Sequence, residues 1–294
     1  MGLDVRPIGP EFVAQGFGVR LDNPLTQAEI DAIHAAMDKY AVLIFPDQPL
    51  TDEAHIALTL QLGPLQPAVG NNVIAQADRR LNANFSDVSN LDQSGRIFAR
   101  NDRGRLFGFG NRLWHTDASF RAVPAKYSLL SARGQPPAQG NTEFADMRAA
   151  YDALDNDTKS QLQTLVAQHS LMYSRELLGF TEFSKQEREA FRPVNQSMVR
   201  TLPGGGRKSL YLAAHAGAIV GWPRPEARAF IFDLMEHATQ PRFVYAHQWR
   251  THDLVIWDNR QTMHRVRRFD DLNAVRDMRR TTIRGDGPTA PQPT

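Results

Sequence analysis

Apolar residues in this chain come in short unbroken runs, each cut off by Gly, Pro, Asn or Asp, and that punctuation constrains the fold most. Residues 41–45 (AVLIF), 127–132, 242–245, 253–257 and 280–283 are rich in β-branched and aromatic side chains and read as strands. No strand–helix alternation links them, so a parallel sheet is not expected, and no repeat period is present. A few helical patterns interrupt the strands. Thr26-Gln27-Ala28-Glu29 is a capping box opening a helix with Ile30, Ile33, Ala36 and Met37 on one face. Residues 52–62 and 156–168 also read as helical. Pro225 suits the first turn of a helix that carries Phe230, Ile231, Leu234, Met235 and Ala238. The expectation is a mostly β chain with helical cover (α+β) built on a jelly-roll core. One domain over 1–284 is expected, with 66–111 and 172–209 as insertions draped over it. Residues 285–294, rich in Gly and Pro, read as a loose tail.

Composition narrows the chemistry. With 294 residues, 41% of them hydrophobic, the chain can bury a large core and is not disordered. A net charge of +2 is too small to argue for nucleic acid or a membrane surface. The absence of cysteine excludes disulfides, thiolate catalysis and cysteine-ligated zinc or iron–sulfur clusters, so any metal must sit on nitrogen and oxygen. The first nine residues carry no apolar run of the kind a secretion signal needs. The longest mostly apolar stretch, 210–222, contains His215 and falls short of the ~20 residues a membrane span needs. The expectation is a cytoplasmic homo-oligomer acting on a small carboxylate, with no nucleic-acid or membrane partner.

The nine histidines are therefore where a metal site must be sought. His34, His55 and His237 fall in amphipathic helices and read as surface or boundary residues; His169, His247 and His252 have no neighbour in sequence that singles them out. His115 differs. It stands in the alternating segment 113–117 (LWHTD), which reads as a strand, and the period of two puts His115 and Asp117 on one face. The best third ligand is His264, at the end of 253–264 (DLVIWDNRQTMH), where a buried-looking strand runs into a turn. Two histidines and one carboxylate on one face form the facial triad of non-haem ferrous oxygenases.

With the blocks 113–120, 140–154 (GNTEFADMRAAYDAL) and 257–265 (WDNRQTMHR), the chain resembles the TauD/TfdA family of 2-oxoglutarate-dependent dioxygenases over nearly its whole length. Within that family it is most similar to members acting on 2,4-dichlorophenoxyacetate. The resemblance implies a double-stranded β-helix fold, Fe(II) held by His115, Asp117 and His264, 2-oxoglutarate as cosubstrate, and O2. It implies that Thr142, Trp257 and Arg276 hold 2-oxoglutarate, with Trp257 walling its pocket. Arg280, Asn111 and His215 would meet the substrate. Arg276 and Arg280 stand twelve and sixteen residues after His264 where the family pattern has eleven and fifteen, which implies one extra residue in the turn at 269–274; Arg279 is the alternative. If this segment is a strand, Arg276 and Arg280 share a face and Arg279 points away. A lysine that relatives use within 66–72 has no counterpart. Phe107 and Phe109 would either form an aromatic lid or pack beneath the barrel mouth. The reaction implied is hydroxylation of the side-chain carbon of an aryloxyalkanoate, giving a phenol, glyoxylate, succinate and CO2. Two other readings stay open: the same chemistry on taurine, an alkyl sulfate or a natural aromatic acid, and a jelly-roll protein that binds metal without turnover.

Overall fold

The structure is a computed structural model that describes residues 2–68, 79–202 and 206–293. The strands are β1 (Asp4–Pro7), β2 (Val13–Phe17), β3 (Val42–Phe45), β4 (Ser86–Asp87), β5 (Ala125–Ala132), β6 (Thr142–Asp146), β7 (Val166–His169), β8 (Val194–Ser197), β9 (Val199–Thr201), β10 (Lys208–Leu210), β11 (Ala216–Ile219), β12 (Val244–His247), β13 (Leu254–Asp258), β14 (Thr262–Val266) and β15 (Met278–Arg284). The helices are α1 (Gln27–Tyr40), α2 (Asp52–Leu62), α3 (Arg103–Gly108), α4 (Met147–Asp152), α5 (Asn156–Leu162), α6 (Leu171–Glu176), α7 (Lys185–Ala190) and α8 (Arg224–Ala238).

A seven-stranded sheet runs β1-β2-β3-β13-β5-β15-β4, antiparallel except for β2 with β3, and a three-stranded sheet runs β12-β6-β14. These two sheets are the jelly-roll core the sequence pattern called for. The uninterrupted apolar runs exist because the large sheet is covered on both faces. Leu43 and Phe45 of β3, with Leu254 and Ile256 of β13, pack with Ile33 and Met37 of α1 and Leu58 and Leu62 of α2. Val42, Ile44, Val255 and Trp257 point the other way and meet Phe144 of the small sheet. Behind the small sheet, Met147 and Ala150 of α4 and Ile231 and Leu234 of α8 pack on Met263. Truncating such a fully buried side chain to Ala costs about 2–5 kcal/mol.

Local signals placed several elements correctly. Thr26 and Glu29 form both arms of the capping box of α1, and a proline occupies the first turn of α8. Three expectations fail. The helix expected over 156–168 stops at Leu162, because Val166–His169 pairs on both sides as β7, with β8 and β11. Segment 242–245 begins as a 3-10 turn, Pro241–Phe243, before β12. Segment 113–117 is not a strand: only His115 pairs, in an isolated bridge to His264, and Ala118 turns the chain through a left-handed φ of 53°.

The supposed insertions carry β4, α3 and α6 to β9, and the tail is not loose where it meets β8. Ser197 N–H donates to Thr289 Oγ1, Asn195 N–H to Gln292 Oε1, and Thr289 Oγ1–H to Gln196 Oε1. The same Gln196 amide donates to the carbonyls of Ser119 and Arg121. The tail thus completes the outer edge of β8, whose backbone groups would otherwise lack partners. No helix among the described residues is long and apolar enough to cross a membrane.

Candidate active site

His115 and His264 are locked opposite one another by a reciprocal pair of backbone hydrogen bonds, at 3.0 and 2.8 Å, although about half the chain separates them. Asp117 Oδ1 lies 3.8 Å from His115 Nε2, and Asp117 Oδ2 lies 3.6 Å from His264 Nε2. One ligand atom from each residue falls within 4.8 Å of the others, and all three residues are buried. The donor set fits a hard-to-borderline divalent ion. His115 Nδ1 is 2.8 Å from the Leu113 carbonyl, which fixes its proton there and leaves Nε2 free as a ligand. Burial pushes both imidazoles below their ordinary pKa, so they stay neutral. Burial pushes Asp117 upward, but Arg280 and the two histidines outweigh it and hold the carboxyl below its usual range. These are the protonation states a metal requires.

A second layer that sequence reasoning missed orients Asp117. Ser128 Oγ–H donates to Asp117 Oδ2 at 2.7 Å, and Asn259 Nδ2–H donates to Ser128 Oγ. Asn259 Oδ1 accepts from the Asp117 backbone N–H and from Trp257 Nε1. Asn259 stands inside the 257–265 block, so its signal was present; Ser128 lies in an ordinary strand run and carried none.

The metal cluster opens on a cavity of about 590 Å³ that His115, Asp117, Asn111, His215, Arg276 and Arg280 all line. Arg276 is buried just ahead of β15. Its Nη1 donates to the Val88 carbonyl, while Nε and Nη2 have no partner among the described residues. Burial pushes its guanidinium down to about 10, which leaves it charged at neutral pH. Arg280 places Nη1 against Asp117 Oδ1 and leaves Nε unpartnered. Arg279 pairs with Asp52 of α2, whereas Arg280 of β15 and Arg276, which precedes that strand, both line the cavity.

Thr142 and Trp257 are not on the cavity surface. Thr142 Oγ1 accepts from Trp249 Nε1 at 2.9 Å, which leaves the hydroxyl proton free to donate. Trp257 packs behind His264, ring centroids 4.7 Å apart, and against Phe144; it supports a ligand rather than walling the pocket. His215 Nδ1 is 3.0 Å from Ser174 Oγ, and its ring meets Phe120 and His115 edge-on. Phe107 lines the cavity and packs with Phe191 and Phe180. Phe109 lies between Arg105 and Arg112, and both arginines pair with Asp271 in the 269–274 turn. The 269–274 turn therefore clamps the 103–112 segment beside the cavity.

This arrangement can hold a divalent metal, an acid with a remote carboxylate and a second small molecule together. The family described as "Taurine catabolism dioxygenase TauD, TfdA family" matches residues 4–282. The chain belongs to the TauD/TfdA dioxygenase family. It is 43% identical to the alpha-ketoglutarate-dependent 2,4-dichlorophenoxyacetate dioxygenase of Cupriavidus pinatubonensis, over 97% of this chain and 99% of that one. It is 35% identical to the (S)-phenoxypropionate/alpha-ketoglutarate-dioxygenase of Sphingobium herbicidovorans, over 96% and 95%. Among solved structures, AAD-2 in complex with Mn(II) and N-oxalylglycine superposes with a TM-score of 0.95 at 54% identity, covering 99% of this chain and 100% of that one. This TauD/TfdA dioxygenase is a 2-oxoglutarate-dependent enzyme, and its His/Asp/His cluster has the ligands Fe(II) needs.

Proposed function

We propose that the enzyme hydroxylates the side-chain carbon of an aryloxyalkanoate such as 2,4-dichlorophenoxyacetate, and that it works in the cytoplasm as a homo-oligomer with no nucleic-acid or membrane partner. The observation that carries the reaction is a buried His115/Asp117/His264 cluster whose His115 and Asp117 line the same cavity as Arg276 and Arg280, both of which have unpartnered guanidinium N–H groups among the described residues. His115, Asp117 and His264 would hold Fe(II), which supplies dioxygen activation coupled to oxidative decarboxylation of 2-oxoglutarate to succinate and CO2.

The protein's share is binding and alignment. Arg276 offers two free N–H groups, and its fork meets the remote carboxylate of 2-oxoglutarate with parallel hydrogen bonds. Thr142 accepts from Trp249 and lies behind the cavity wall, so the carboxylate is left to Arg276. Arg280 takes the substrate carboxylate and so presents the adjacent carbon–hydrogen bond to the metal side of the cavity. Asn111 and His215 border that carbon and the ring. Hydroxylation there forms a hemiacetal, which releases the phenol as glyoxylate departs. The 103–112 segment, clamped through Asp271, keeps water away meanwhile.

A panel of aryloxyacetates, aryloxypropionates, taurine, an alkyl sulfate and aromatic acids, scored by succinate and by oxidised product, tests this. Aryloxyalkanoates should give the highest turnover with one phenol per succinate. A higher coupled rate on taurine or an alkyl sulfate overturns the substrate assignment. No succinate with any acid overturns the reaction.

A further inference from the structure

Among the described residues, the buried arginines are Arg148, Arg175, Arg260 and Arg276. Arg148 is paired with Asp146 and Arg260 with Asp258. Arg175 and Arg276 have no acidic partner, and both line the one cavity. A buried cation without a counter-charge is expensive, so a ligand that brings an anion to it gains binding energy. Arg276 has its anion in 2-oxoglutarate. Arg175 has none assigned.

Arg175, on α6, is 5% exposed. Its Nη1 donates to Ser174 Oγ at 2.9 Å, and its Nε has no partner. The guanidinium carbon sits 4.2 Å from the centroid of the Phe107 ring. Room for it is made by Gly110: a Cβ built there would lie 2.3 Å from Arg175 Cζ. Burial pushes the guanidinium down to about 9, so it remains charged at neutral pH.

Its position relative to Arg280 gives the proposal its direction. Contacts run from Arg280 to Asp117, from Asp117 to His115, from His115 to His215, and through Ser174 to Arg175. The two guanidiniums are thus linked through a path of contacts that passes by the His115 and Asp117 side chains. Phe107, Phe120, Leu171 and His215 line the cavity along with Arg175, which makes this the side suited to an aryl ring.

We propose that Arg175 is a specificity-determining residue that recognises an anionic oxygen group, a carboxylate or a phenolate, on the aryl ring of the substrate. The preferred substrates are then aryloxyalkanoates with an acid at each end, one on Arg280 and one on Arg175. This rests on the aryloxyalkanoate reading above.

The test measures binding of phenoxyacetate and of 2-, 3- and 4-carboxyphenoxyacetate by anaerobic calorimetry on Fe(II)- and 2-oxoglutarate-loaded enzyme. A charged hydrogen bond gained in the site should make at least one isomer bind about tenfold to a hundredfold tighter than phenoxyacetate. Arg175→Met should erase that preference, so that no carboxy isomer binds tighter than phenoxyacetate to the same variant, while Arg175→Lys should retain part of it. Arg280→Met should weaken every acid and keep the preference. Melting curves add a readout that a purely structural role would move: removing an unpaired buried cation should leave the melting temperature of Arg175→Met at or above wild type. No preferred isomer in the wild type, or a preference that survives in Arg175→Met, overturns the proposal and leaves the aryloxyalkanoate reading standing. If the wild type neither binds nor oxidises any aryloxyacetate, that reading falls and takes this proposal with it.

Discussion

Replacing Arg276 with Met should remove the cosubstrate's anchor with little damage to the fold. Arg276 is 2% exposed and, among the described residues, makes a single side-chain hydrogen bond, from Nη1 to the Val88 carbonyl, with Nε and Nη2 unpartnered. In the free protein the substitution therefore removes one hydrogen bond, worth about 1 kcal/mol, and relieves the cost of an unpaired buried charge. The melting temperature should change little. In the complex the loss is of another order: a desolvated carboxylate left without its partner costs about 2–5 kcal/mol, which is roughly thirty- to several-thousandfold in affinity. Two assays separate these effects. Succinate formation against 2-oxoglutarate concentration gives KM, and thermal melts with and without 2-oxoglutarate give binding without turnover, since a ligand that binds only the folded state raises the melting point. In wild type, added 2-oxoglutarate should raise the melting temperature; in Arg276→Met that rise should vanish at the same concentration. A KM for 2-oxoglutarate within threefold of wild type, or an undiminished rise, refutes the assignment.

Asn259→Ala should lower metal affinity about 10- to 100-fold, as loss of outer-layer partners of metal ligands commonly does, because Asn259 positions both the Asp117 backbone and Ser128; metal titration of the purified protein measures it, and unchanged affinity would sink the idea. Asp271→Ala should free Arg105 and Arg112 and loosen the 103–112 segment, which raises succinate formed without phenol; a ratio equal to wild type argues against the clamp. Below neutral pH the protein should lose stability through His55 and His169, which burial pushes down to about 3. The unfolded chain takes up protons from about pH 6.5 downward while the folded chain does not, so stability is full above that range and falls toward pH 3. The slope should be about 1.4 kcal/mol per pH unit for each histidine. Urea denaturation between pH 6 and 5 should show a slope lower by about that amount in His169→Gln, and an equal slope refutes the account.

What the sequence made legible follows what is locally encoded. The runs at 42–45 and 254–257 stood out because both faces of the large sheet are buried and every residue along them is apolar. Capping chemistry placed α1. The structure brings His115, Asp117 and His264 together, but not for the reason the sequence suggested for two of them: His115 and Asp117 converge through a bridge to His264 and a left-handed turn at Ala118, not through strand alternation. Long-range pairing of that kind leaves no periodic trace. Nor does burial without amphipathicity: His55 reads as a boundary residue of α2, yet it is wholly buried and bonds Ser131 and Thr281. Arg175 escaped notice for the same reason, since nothing in its neighbourhood marks a guanidinium as facing inward rather than outward.

The strap of residues 289–292 along β8 has a practical cost for anyone who handles this enzyme. Thr289 grips Gln196, and the Gln196 amide in turn holds the carbonyls of Ser119 and Arg121, two and four positions beyond the Asp117 carboxylate. A deletion at residue 288, or a rigid fusion placed there, would strip a strand edge and also slacken the turn that aims a metal ligand. Affinity handles belong at the amino end, where β1 is an outer strand of the large sheet and its residues are largely exposed.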